Sequence, residues 1–203
     1  MEPMEHPTLW HSAQHWAEKL SRYLPIEGVW LSGSLARGEA TQAADADLFI
    51  LCQPGSLYTV RLGVVLWLRM AGALATTADH AGRLCPNHFL ASPYTLGEES
   101  AYMAMLLHHM QVLTGPESLL QYVQYHHRGL LRQYGYPAPV GGKRPPTRPA
   151  AWWWRALEPL SRLLTHAKIT RLGTRPLPAG IFLGTAELRL HPGQKHLQWP
   201  EKR

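Results

Sequence analysis

Cysteine is nearly absent from this chain, which has two in 203 residues, Cys52 and Cys85. Neither stands in a Cys-x-x-Cys or Cys/His pattern, so neither a disulfide framework nor a structural zinc site organises the fold, and a free pair in a reducing compartment is expected. Long uncharged apolar runs are lacking too. The longest, from Leu57 to Ala75, contains Arg61 and Arg69, and an Arg near a bilayer centre costs roughly 3 kcal/mol. That run reads as a core helix, and no membrane association is expected. No N-terminal stretch joins a charged start, an apolar middle and a small-residue cleavage site, which points to a cytoplasmic protein. There is no internal repeat.

What is present is enough apolar material for a core, 45% of residues, at a length that suits one compact domain or a small domain with a helical appendage. Charge is divided unevenly. Residues 1–140 hold eight Lys or Arg against eleven Asp or Glu, a net of −3, whereas residues 141–203 hold twelve against three, a net of +9. A basic C-terminal third suits an anionic partner such as RNA or a triphosphate, or else a solvated surface.

Apolar periodicity predicts a helix over 8–24, a strand over 28–32, a short helical turn after Ser34, a second strand ending near Cys52, and a long helix from Ser56, as N-cap, to about Thr77. A third strand is expected over 83–90. Beyond Ser92-Pro93 the pattern turns helical, over 98–113, 116–134 and 150–172, with a Pro- and Gly-rich linker near 136–149 and a strand-like segment over 180–190. The expected class is α+β: a small mixed-sheet core over residues 1–92, then a mainly helical region over 93–203.

One constellation specifies chemistry. Val29-Trp30-Leu31-Ser32-Gly33-Ser34-Leu35-Ala36-Arg37-Gly38-Glu39 delivers an apolar strand into a Gly-Ser turn, and Asp45-Ala46-Asp47-Leu48-Phe49-Ile50-Leu51 brings two carboxylates at i and i+2 on a second strand. Alternation puts Asp45 and Asp47 on one face, roughly 7 Å apart along the backbone. Two hard oxygen ligands beside a phosphate-sized turn suit Mg²⁺, which prefers one or two carboxylates plus substrate phosphates. Gly33 lets the backbone approach a ligand closely, and Ser34 can donate to an anion.

These residues resemble the nucleotidyltransferase superfamily with the DNA polymerase β-like catalytic fold, small prokaryotic members included, whose signature is apolar-Gly-Gly/Ser, a spacer of about ten residues, then Asp-apolar-Asp-apolar. The resemblance implies transfer of a nucleoside monophosphate from a Mg²⁺-bound nucleoside triphosphate, ATP foremost, to an RNA, protein or small-molecule acceptor. Asp45 and Asp47 would hold the metal, Gly33 and Ser34 the phosphates, and Arg37 or Arg61 would meet phosphate charge. The family's third carboxylate has no counterpart in Arg83-Leu84-Cys85-Pro86-Asn87-His88-Phe89-Leu90. Asn87 is the candidate for its place, and it can offer a carbonyl oxygen but cannot remove a proton. That departure leaves two rivals to an active transferase: a nucleotide-binding regulator or partner subunit, and an RNA-binding module built on the basic third.

Among twelve histidines, the pairs His108-His109 and His126-His127 point about 100° apart on helices and chelate nothing by themselves. His11 and His15 share a face, without the Glu of a metalloprotease pattern. His88, next to Asn87, is the histidine placed to touch the site. Trp152-Trp153-Trp154-Arg155 offers either a stacking surface for bases or packing against earlier helices.

Overall fold

Leu9, Ala13, Ala17 and Leu20 recur at three- and four-residue steps, and their burial makes α1 (Pro7–Tyr23) a cover laid on a sheet. A computed structural model describes residues 7–76, 78–97, 99–171 and 181–190. After α1 come β1 (Ile26–Ser32), α2 (Gly33–Ala36), β2 (Ala46–Cys52), α3 (Leu57–Met70), β3 (Leu84–Ala91), α4 (Ala101–His109), β4 (Gln111–Thr114), α5 (Glu117–His126), α6 (Arg128–Gln133), α7 (Trp152–Arg171), β5 (Ile181–Leu183) and β6 (Glu187–Leu190). The strands form one mixed sheet in the order β4-β1-β2-β3-β6-β5. Among the described strands, only β2 and β3 pair in parallel. The α+β class read from the sequence is borne out.

Alternation along the central strands divides two cores. Leu48, Ile50 and Cys52 of β2 face α1 and α3, while Phe49 and Leu51 face the layer of α4, α5 and α6. Asp47 is in phase with Phe49. Its side chain therefore belongs to the α4 side of the sheet.

The structure departs from the expected elements where tertiary pairing competes with local pattern. The helix expected over 98–113 ends at His109; Met110 turns to φ −58°, ψ 141°, and Gln111–Thr114 becomes an edge strand on β1. The helix expected over 116–134 breaks at His127 into α5 and α6. The long helix from Ser56 stops at Met70, where Gly72 at φ +65° and the bond from Ala73 N to Leu68 O close it. The strand-like tail is a hairpin, β5 and β6, and β6 pairs with β3. Both sheet edges thus come from residues beyond 92. Glu98, Thr77, Leu172 and Gly180, named as element ends in the sequence reading, lie outside the described residues.

Ser56 does not cap α3 with its side chain; its hydroxyl donates to Gln53 O at 2.8 Å. The cap is Glu158 of α7. Its carboxylate accepts from Tyr58 N at 2.8 Å, Thr59 N at 2.9 Å and Thr59 Oγ1 at 2.8 Å, which places a negative charge on the positive end of the helix and ties α7 to α3. Of the three tryptophans that open α7, Trp154 packs against the core, while Trp152 and Trp153 are exposed.

Candidate active site

The antiparallel register sets Ser32 opposite Asp47, so the turn that follows β1 arrives beside the first carboxylate of β2. Gly33 makes the turn at φ +74°, and a Cβ built there would lie 2.1 Å from Asp47 Oδ2. No side chain fits that space, and an L-residue would also be strained by the backbone angle. Ser32 Oγ donates to Asp47 O at 3.3 Å, which fixes the strand end from which Asp47 projects.

The parallel register brings Asp47 opposite Cys85 of β3, and a bulge after Leu48 admits Asn87 beside them. Asn87 Nδ2 donates to Asp47 Oδ1 at 2.6 Å. The amide therefore uses its donor here, on a carboxylate that is itself buried. Asp45, just before β2, is half-buried on the same side. One ligand atom each from Asp45, Asp47 and Cys85 lie within 4.8 Å of one another. Two carboxylates and a thiol gathered beside a glycine cradle form a donor set that fits a divalent cation.

A narrow cleft runs past this cluster, bounded by Ser32, Asp47, Asn87, His88 and Arg189, with Tyr102 and Leu106 of α4 as its roof. Burial and the Asp47 charge push the Tyr102 hydroxyl up to about 12, so it stays protonated and can donate. His88 stacks on Phe49 at 4.1 Å between centroids and meets Glu187 Oε1 at 2.9 Å. Burial holds His88 below the usual imidazole range. Glu187 is buried as well, yet the His88 contact and the Gly97 N–H outweigh desolvation and keep its carboxyl low. The pair is a neutral imidazole against a carboxylate, locked into the sheet. Arg189 reaches the cleft because β6 pairs His88 with it.

The sequence-predicted residues fall into two groups. Gly33, Asp45, Asp47, Asn87 and His88 converge, and Ser34 lies half-buried in the adjoining α2. Arg37, at the C-cap of α2, directs Nε to Glu39 Oε2 at 2.7 Å and Nη1 to Met105 Sδ at 3.3 Å. Arg61 does not join them. It is buried on the far layer, with Nη1 donating to Thr165 Oγ1 at 3.3 Å, and burial lowers its pKa. Neither does α7, whose packing on α3 puts Arg155 and Arg162 around a separate cavity of about 750 Å³ with Tyr58, Glu158 and His166, across the sheet from Asp47. That cavity is therefore remote from the carboxylates. Cys85, Tyr102 and Arg189 were missed by sequence reasoning. Cys85 had a signal: at two residues before Asn87, it shares that strand face.

The nucleotidyltransferase domain family matches residues 15–65, the span that includes the Gly33 turn and both aspartates. Across that span the chain is similar to nucleotidyltransferase domains. No curated protein matches the sequence. A solved structure described as a crystal structure of a toxin-antitoxin with AMP-PNP aligns over 59% of this chain and 95% of its own, at 15% identity and a TM-score of 0.34. Among the described residues, no helix is long and apolar enough to cross a membrane.

Proposed function

We propose that this chain transfers a nucleoside monophosphate from a nucleoside triphosphate, ATP foremost, to an acceptor hydroxyl or phosphate. The observation that carries the reading is the contact between Gly33 and Asp47, with Asp45 two residues away: a side-chain-free turn pressed on a pair of carboxylates. Asp45 and Asp47 would hold Mg²⁺, which when bound neutralises charge on the triphosphate oxygens. The Gly33-Ser34 turn would receive the phosphates, and Arg37 would add positive charge at their edge. Asn87 positions Asp47, because its amide restrains one carboxylate oxygen.

In the transfer, an acceptor oxygen forms a bond to the α-phosphorus while the bond to the bridging oxygen of the β-phosphate breaks. Pyrophosphate departs with that electron pair, and the acceptor proton passes to solvent. Catalysis of this kind rests on positioning and charge neutralisation, which a rigid turn and a pair of aspartates supply.

Isothermal titration of Mg-ATP together with a pyrophosphate-release assay tests the reading. Binding and release that both vanish in Asp45→Asn and Asp47→Asn support it. Binding without release, over a panel of RNA and protein acceptors, makes the chain a nucleotide-binding regulator or partner subunit instead. Salt-sensitive RNA binding that survives loss of both aspartates makes it an RNA-binding module.

A further inference from the structure

We propose that Cys85 is a third ligand of the aspartate site, and that the site consequently binds a thiophilic divalent ion such as Zn²⁺ or Co²⁺ in preference to Mg²⁺. The inference rests on the nucleotidyltransferase reading for the place of the metal and departs from it in the metal's identity. Asp47 and Cys85 are register partners on parallel strands, so their side chains leave the sheet on the same side, and Asp45 stands two residues before Asp47. The three donor atoms, all within 4.8 Å of one another, come from two strands held in one sheet. With Zn–S near about 2.3 Å and Zn–O near about 2.1 Å, ligands of a tetrahedral ion sit about 3.5 Å apart. A pair at the outer limit closes that gap by small rotations of Asp45 and Cys85, both only half-buried.

Two further features favour the sulfur ligand. Asn87 engages Asp47 Oδ1 with an N–H donor at 2.6 Å, so Asp47 would ligate a metal through its other oxygen, Oδ2. The Asn87 carbonyl could serve in addition only by rotating away from that bond. The set that remains is one oxygen from each aspartate and one sulfur. Mg²⁺ demands near-octahedral oxygen coordination and gains little from sulfur, whereas Zn²⁺ and Co²⁺ accept mixed oxygen and sulfur ligands. Three protein ligands leave a fourth position for a substrate oxygen, as in catalytic zinc centres. Coordination forms a metal–sulfur bond at the expense of the S–H bond and a metal-bound water. The thiol proton passes to solvent.

The full chain is titrated with Co²⁺ and followed by absorption in the near ultraviolet, where a sulfur-to-cobalt charge-transfer band reports thiolate ligation. Cys52 is fully buried, so the band reports Cys85. The expected result is a band in the parent protein that Zn²⁺ abolishes and excess Mg²⁺ does not. Cys85→Ser should remove the band and weaken Co²⁺ binding by about tenfold or more, and Cys85→Asp should shift preference toward Mg²⁺. Asp45→Asn should weaken Co²⁺ in the same way. Co²⁺ binding without the band, or equal Zn²⁺ affinity in the parent and Cys85→Ser, overturns the proposal. If Mg-ATP still binds in an aspartate-dependent way, only the thiolate inference has failed. If no divalent ion binds with or without ATP, the site reading has failed with it.

Discussion

Gly33 and Asp47 occupy one volume: the space a β-carbon would take at residue 33 is filled by the Asp47 carboxylate, with Oδ2 at 2.1 Å from that point. The turn and the metal-ligand candidate are therefore a single packed unit. Gly33→Ala should displace Asp47 and strain the backbone at φ +74°, destabilising the fold by at least about 1 kcal/mol. Thermal melts read the stability and Mg-ATP titration reads the site, and both should fall. Unaltered nucleotide affinity in a folded Gly33→Ala variant would show that the turn does not position the carboxylate.

The two aspartates should respond differently to neutralisation. Asp47 is buried and bonded to Asn87, whereas Asp45 is half-buried. Asp45→Asn should leave the melting temperature within about 2 °C of the parent while weakening metal-dependent nucleotide binding by about tenfold or more. Asp47→Asn should lose binding to the same degree and also alter stability, since an amide must now face the Asn87 amide. Equal melting curves for both variants would contradict the burial difference.

Much of this site was legible in the sequence because its parts are local: the Gly-Ser turn closes one strand, and the paired aspartates open the next. Period-two alternation alone placed Asp45 and Asp47 on one face. Cys85 was legible in principle from the same alternation and was passed over because a thiol had no place in the expected carboxylate set. Arg189 was not legible, since nothing local announces that a hairpin a hundred residues downstream will pair with β3. The strand at Gln111–Thr114 was hidden by continuous helical periodicity, which an open edge on β1 overrode. The position of α7 was not legible for a similar reason: Glu158, a single acidic residue, anchors the helix to α3 on the layer opposite Asp47.

Glu158→Ala should loosen that anchor. It removes three hydrogen bonds at the N-terminus of α3, at a cost of about 1–3 kcal/mol. Glu158→Gln should recover part of the loss, because an amide oxygen still accepts. Nucleotide affinity at 20 °C should hardly change, as α7 lies across the sheet from Asp47. Chemical denaturation and Mg-ATP titration on the same samples separate the two effects. A large loss of nucleotide affinity in folded Glu158→Ala would place α7 within reach of the site.

Acid should destabilise the fold before any carboxylate is titrated. Burial holds both His88 and His127 below the ordinary value of 6.5, so the unfolded chain takes up protons first as pH falls. Their contribution is present above that value and is lost below it. Glu187 works in a lower window, because its own carboxyl is held below 4.5 and its contribution is present above that. The melting temperature should drop on going from about pH 7.5 to about pH 5.5, and His127→Gln, which keeps a donor for Tyr94 O, should flatten the profile. A flat profile in the parent would mean that these imidazoles are open to protonation in the folded state.

Asn87→Asp sets the sharpest test of the site, because it exchanges a donor for an acceptor 2.6 Å from a buried carboxylate. Without metal, two carboxylates at that distance cannot both ionise cheaply, so one must take a proton or the pair must separate, and the variant should melt below the parent at neutral pH and recover toward acid. With a divalent ion the third carboxylate becomes a ligand and the order reverses. The shift in melting temperature on adding Mg²⁺ should then be larger in Asn87→Asp than in the parent, and pyrophosphate release with Mg-ATP should rise. Measured at several metal concentrations, the shift gives the affinity directly by mass action. A variant that melts like the parent with and without Mg²⁺ would show that residue 87 does not face the metal position, leaving Cys85 as the β3 residue that does.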